Sequence, residues 1–135
     1  MTTIVCLDDR GGMLFNNRRQ SRDSAVLEDI RTQIPGPLMI DVFSEKLIQG
    51  AGIDYVLAPE ELGDQPGETW FFTEVRGAEK LLPLTEKLVI YRWNRHYPAD
   101  VRWTADPVEA GFTLTERLDF SGSSHKTITR EVYVR

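Results

Sequence analysis

Apolar runs of four to seven residues alternate with polar breaks rich in glycine, proline, asparagine and aspartate along the chain. Thr2–Leu7 is rich in β-branched residues and predicts a first strand. The run Asp8-Asp9-Arg10-Gly11-Gly12 ends it, because paired glycines take backbone angles that other residues resist. Residues 21–33 read as a helix: Val26, Leu27, Ile30 and Ile34 recur at helical spacing. Ser21 is the expected N-cap, with Asp23 in the first turn facing the positive end of the helix dipole. Pro35-Gly36-Pro37 stops that helix.

Beyond it the pattern predicts a strand over 38–42, a short helix over 44–49 and a strand over 54–58. The acidic segment 59–68 is a loop, followed by a strand over 69–73, a short helix over 76–82 and a strand over 87–93. Residues 112–118 and 127–134 alternate as a closing antiparallel pair. Strands alternating with helices imply an α/β domain with a mostly parallel central sheet, flanking helices and an antiparallel C-terminal edge hairpin. With no repeat, linker or low-complexity tract, residues 1–135 are expected to form one domain.

Composition narrows the classes. A net charge of −5 argues against a general nucleic-acid binder, which needs a basic face to neutralise phosphates, so nucleic acid is an unexpected partner. The single cysteine, Cys6, excludes an intrachain disulfide and a cysteine-pair metal site, and its apolar neighbours predict a buried, inert thiol. No apolar stretch is long enough to cross a bilayer, and the N-terminus lacks the basic start and apolar core of a signal peptide. The expectation is a cytoplasmic chain with no membrane partner, no metal and no bound cofactor.

Unusual polar residues gather in three predicted loops. In the first, residues 8–23, Arg18, Arg19 and Arg22 form either a fork-rich patch for phosphate or carboxylate, or a solvated turn neutralised by Asp8, Asp9 and Asp23. In the second, residues 91–100, the aromatics Tyr91, Trp93 and Tyr97 interleave with Arg92 and Arg95. They either stack a flat ring or pack as core, because Tyr91 and Trp93 alternate with Arg92 along a strand. His96 reads as a surface histidine. In the third, residues 121–125, Ser124 precedes His125, but adjacent strand residues face opposite ways and no G-x-S-x-G elbow is present. Ser123, Ser124 and His125 are expected to brace the neighbouring loops, while Asp23 and His125 are the candidate proton-transfer residues.

The order of elements resembles the dihydrofolate reductase fold over nearly the whole chain, most closely from residue 69 onward. The resemblance implies that Asp100 and Ser124, with Asn16 or Asn17, brace the mobile first loop over a ligand cleft. It also implies a dinucleotide site, from which this sequence departs. Thr73-Glu74-Val75 stands where adjacent glycines would admit a phosphate, and Asp41-Val42-Phe43-Ser44 stands where a glycine and a basic residue are expected. Segment 59–68 is too short for the strand and helix that hold the adenosine end. The implied fold is therefore reductase-like with a degenerate cofactor site.

The runs GGMxFNxRRQSxD, YRWNRxYPxD and GSSHxxIT are similar to those of a group of short uncharacterised bacterial proteins, some of which carry the label ribonuclease Z. Such nucleases hold two metals in a cluster of histidines and aspartates. This chain's two histidines, His96 and His125, form no HxHxDH run. The leading expectation is a ligand-binding or enzymatic domain for a small anionic or nucleotide-like molecule, with charge held by Arg18, Arg19, Arg22, Arg92 and Arg95 and stacking from Trp93 or Tyr97. The alternatives are a non-catalytic interaction or homodimerisation module, a residual NADPH-dependent dihydrofolate-type reductase, and a nuclease.

Overall fold

The structure, a computed structural model, describes residues 1–135. Strand β1 (Thr2–Leu7) lies in the middle of a seven-stranded sheet, which explains the apolar run from Ile4 to Leu7: both faces are covered. It pairs in parallel with β6 (Trp70–Phe72) and β7 (Lys87–Arg92). Beyond β6 lie β4 (Leu38–Ile40) and β5 (Tyr55–Leu57), also parallel. On the other side, β10 (Ile128–Val134) runs antiparallel to β7 and pairs with β9 (Thr113–Phe120), giving the order β5-β4-β6-β1-β7-β10-β9. The expected parallel sheet with an antiparallel edge hairpin is therefore present.

Two apolar clusters flank this sheet. Ile4, Phe72, Val89 and Tyr91 pack against Val26, Leu27 and Ile30 of α1 (Ser24–Gln33) and Leu47 and Ile48 of α2 (Glu45–Gly50). Val5, Leu7, Phe71, Leu88 and Ile90 pack against Ala78 and Leu81 of α3 (Ala78–Leu81) and against Trp103 and Phe112. Ile30 is fully buried, so truncation to alanine would cost about 2–5 kcal/mol.

Three local expectations are corrected. Helix α1 starts at Ser24, and its N-cap is Asp23, not Ser21; Asp23 is extended (φ −138°, ψ 116°) and its carboxylate accepts from Ala25 N–H. The strand expected over 38–42 ends at Ile40, and Asp41 opens a 3₁₀ turn at Val42–Ser44. The first polar loop holds a hairpin of β2 (Gly12–Phe15) and β3 (Arg18–Arg19), joined through Asn16 (φ 51°) and Asn17 (φ 59°). Two successive left-handed residues suit the right-handed twist of a tight hairpin, and asparagine tolerates that conformation better than other residues bearing a β-carbon. A short β8 (Val101–Arg102) completes the small sheet β3-β2-β8.

Candidate functional site

All three polar loops meet at one end of the large sheet, tied by three carboxylates. Asp8, buried at the end of β1, accepts from the backbone N–H groups of Arg10 (2.8 Å), Gly12 (2.7 Å) and Tyr97 (3.3 Å) and from Gln20 Nε2 (3.0 Å). Burial alone would raise its pKa, but the donors of Gly12, Arg10, Gln20 and Tyr97 outweigh it and hold the carboxyl below its ordinary value. Asp100 accepts from Asn16 N–H at 3.0 Å and so fastens the tip of the hairpin.

Asp23 is the third tie. Its side chain is fully buried, and besides capping α1 it accepts from Ser123 N–H (2.9 Å), Ser123 Oγ (3.0 Å), Ser124 N–H (3.0 Å) and His125 Nδ1 (3.0 Å). Burial opposes ionisation here too, yet the donors from Ser123, His125 and Ser124 prevail and keep the carboxyl far below the ordinary aspartate range. His125 Nδ1 faces the ionised Asp23 and donates to it, while Nε2 lies 2.8 Å from the Tyr97 hydroxyl. Trp93 stacks on the imidazole, with centroids 4.7 Å apart and planes 16° apart.

This arrangement limits the chemistry. Ser124 Oγ donates to the Arg22 carbonyl (2.7 Å) and lies 3.3 Å from His125 Nδ1, the nitrogen that already faces Asp23. A serine–histidine–aspartate relay needs serine and aspartate on different ring nitrogens, so these three residues do not form one. Both Asp23 oxygens are engaged by protein donors.

The expected arginine patch divides. Arg19 makes a bidentate ion pair with Glu74 (2.8 Å on each arm), with its guanidinium 5.4 Å from the centre of the Phe43 ring; Ser44 Oγ also donates to Glu74 at 2.7 Å. Arg92 turns toward β10 and pairs with Glu131 (2.8 Å), leaving the patch. Arg18, Arg22 and Arg95 have no carboxylate within ion-pair distance; Arg95 lies over the Tyr97 ring at 5.4 Å. His96 is exposed, and Trp93 and Tyr91 are both buried.

Sequence reasoning noted the carboxylates of Asp41 and Glu74 but missed their partners. Arg76 Nε donates to Asp41 (2.8 Å), and its other nitrogens donate to the carbonyls of Pro59 (2.6 Å) and Glu60 (3.1 Å). Thr73 Oγ1 donates to the second Asp41 oxygen at 2.8 Å. An isolated buried carboxylate demands a cation, and that demand was the available signal.

Several spaces border these residues, and two of them bear on the candidate site. Between α1, α2 and β6 a cleft lined by Cys6, Arg22, Asp23, Leu27, Leu47, Phe72, Glu74 and Trp93 retains only about 20 Å³, enough for a water molecule. Cys6, expected to be buried, is half-buried against this cleft; desolvation first, then Glu74 and Asp23, push its thiol strongly upward, so it stays protonated. On the outer side, a groove of about 600 Å³ runs between the hairpin and the second loop, lined by Phe15, Asn16, Arg18, Arg19, Gln20, Tyr97 and Pro98. No group of three or more His, Cys, Asp or Glu side chains is placed to hold a metal ion. No helix is long and apolar enough to cross a membrane.

No family model matches this sequence, and no curated protein is similar to it in sequence. Among solved structures, the chain is similar to dihydrofolate reductase from Enterococcus faecalis in complex with NADP(H) and RAB-propyl. The two superpose with a TM-score of 0.70 at 9% identity, over 99% of this chain and 95% of the reductase. The α/β fold of this chain is thus that of the dihydrofolate reductases.

Proposed function

We propose that the chain is a reductase-like domain that has exchanged its dinucleotide site for internal ion pairs and binds a small, flat, anionic molecule beside the β2–β3 hairpin. One observation carries the reading. The outer groove is lined by Arg18, which has no carboxylate partner, by Arg19, whose guanidinium is held by Glu74, and by the aromatic residues Phe15 and Tyr97, and none of its lining residues is acidic. A planar guanidinium matches phosphate or carboxylate oxygens in two-pronged fashion, and aromatic walls favour a flat ring. The groove's volume falls within the usual range for small-molecule sites.

Loss of the dinucleotide site rests on Glu74 and Asp41. Arg19 and Ser44 occupy Glu74, and Arg76 and Thr73 occupy Asp41, where the resemblance would place phosphates. A phosphate entering there would meet carboxylates and would have to break two partly buried ion pairs. The test is thermal-shift and calorimetric titration with nucleoside monophosphates, inorganic phosphate and NADPH. The expected result is stabilisation by a monophosphate, weakened by salt and by Arg18→Ala, and none by NADPH. Stabilisation by NADPH that survives Arg18→Ala would refute the reading.

A second reading, a domain whose loops only brace one another, is favoured by the Asp23 hydrogen bonds and the Asn16–Asp100 tie. It predicts no response to any of these ligands.

A further inference from the structure

Strand β9 has a neighbour on one side only, and it is long: every residue from Thr113 to Asp119 is exposed, and Phe120 is half-buried. An edge of this length offers a row of unpaired backbone donors and acceptors, which folded proteins shorten, cover, pair or guard with charges and bulges, and β9 carries both charges and an irregularity. The opposite edge, β5, is only three residues long. Leu118 adds a large apolar side chain that is 45% exposed on this strand.

The side-chain order of β9 is complementary to a second copy of itself. A twofold axis perpendicular to the sheet continues it antiparallel and keeps each face on its own side, so residues of like parity meet. Centring the pairing on Glu116, Arg117 or Asp119 would set a residue against its own charge, which is destabilising. Centring it on Leu118 removes that conflict. Leu118 then meets Leu118 of the second copy, Arg117 meets Asp119 of the second copy on the opposite face, and the same ion pair forms again by symmetry.

The backbone favours the same centre. The irregularity opposite Val132 and Tyr133 leaves residues 116–120 as the regular stretch of β9, and Leu118 is its midpoint. Arg117 sits opposite Glu131, which is already held by Arg92, and Asp119 sits opposite Thr129.

We infer that the chain forms a symmetric dimer by joining β9 to β9 of a second copy, with Leu118 on the axis and two Arg117–Asp119 ion pairs across it. The two large sheets become one continuous sheet, and the loop end described above stays open to solvent. This interface is independent of the anion groove, so either proposal can fail alone.

Sedimentation equilibrium over a wide concentration range tests it. The wild-type chain should dimerise. Arg117→Asp and Asp119→Arg should each raise the dissociation constant by about tenfold or more, because both ion pairs become repulsive contacts. An equimolar mixture of the two variants should dimerise again, since each then supplies the charge that the other lacks. Circular dichroism checks that each variant is folded. If one is not, Leu118→Lys and the double variant Arg117→Asp/Asp119→Arg replace it, the first expected to be monomeric and the second dimeric. A wild-type monomer at every concentration, single variants that dimerise like wild type, or a mixture that stays monomeric would each overturn the inference.

Discussion

Replacing Asp23 by alanine removes the acceptor for the N-terminus of α1 and for three consecutive residues of the third loop. Loss of the helix cap alone costs about 1 kcal/mol. The N–H groups of Ser123 and Ser124 and His125 Nδ1 are left without their acceptor, and each such loss costs about 1–3 kcal/mol, less than additively because the loop can relax toward water. The expected total is about 4 kcal/mol, a large share of the stability of a domain this size. Urea unfolding should show a lower midpoint at an unchanged slope, and thermal melting a drop of about 15 °C. The penalty should also depend on pH. The folded-state pKa of Asp23 lies below its unfolded value, so its contribution is full above about pH 4 and fades as pH falls from there toward the folded value. The gap between wild type and Asp23→Ala should therefore narrow in acid. A loss below about 1 kcal/mol at pH 7, or a gap that widens below pH 4, would refute the account of Asp23 as a buried structural tie.

Other substitutions probe neighbouring features. Gly122→Ala would place a β-carbon 2.5 Å from an Asp23 oxygen and 2.6 Å from the His125 carbonyl, so it should destabilise by about 3 kcal/mol in the same unfolding assay. Tyr97→Phe removes only the hydroxyl on His125 Nε2; it should cost about 1 kcal/mol and leave the Trp93 stacking signal in the near-ultraviolet spectrum intact. Glu74→Gln breaks the bidentate pair with Arg19 and should cost about 2 kcal/mol, with faster hydrogen exchange confined to the β2–β3 hairpin. Gly11→Ala combines a left-handed position (φ 75°) with a contact of 2.7 Å to the Trp103 carbonyl and should lower the melting temperature; a value unchanged from wild type would contradict this close approach of the two backbones.

Periodicity along the sequence revealed most of the frame because each main element carries its own signal. Val26, Leu27 and Ile30 mark one face of a helix, and β1 is rich in β-branched and apolar residues because both its faces are covered. The hairpin was less legible: its strands are short, and Asn16-Asn17 signals a turn only once both residues are known to be left-handed. The N-cap went to Ser21 on local grounds, whereas Asp23 takes it because the third loop supplies the remaining donors for its carboxylate. Long-range choices of this kind leave no local trace. The same holds for the arginines, whose spacing shows that they are near one another in sequence but not that Arg19 meets Glu74 while Arg92 turns to Glu131. Gathering the polar loops at one end follows from the parallel strands, since β1 and β7 run the same way and deliver the loops after them to one edge.

The Asp23 tie also sets an order of events in biosynthesis. Its loop donors lie about a hundred positions farther along the chain. While the chain is being made, α1 must persist with an incompletely satisfied carboxylate at its start until nearly the last strand has emerged. The central strand waits in a similar way, since its partners begin at Trp70 and Lys87. Folding of this domain is therefore expected to be slow for its size, with the third loop as the latch that closes late.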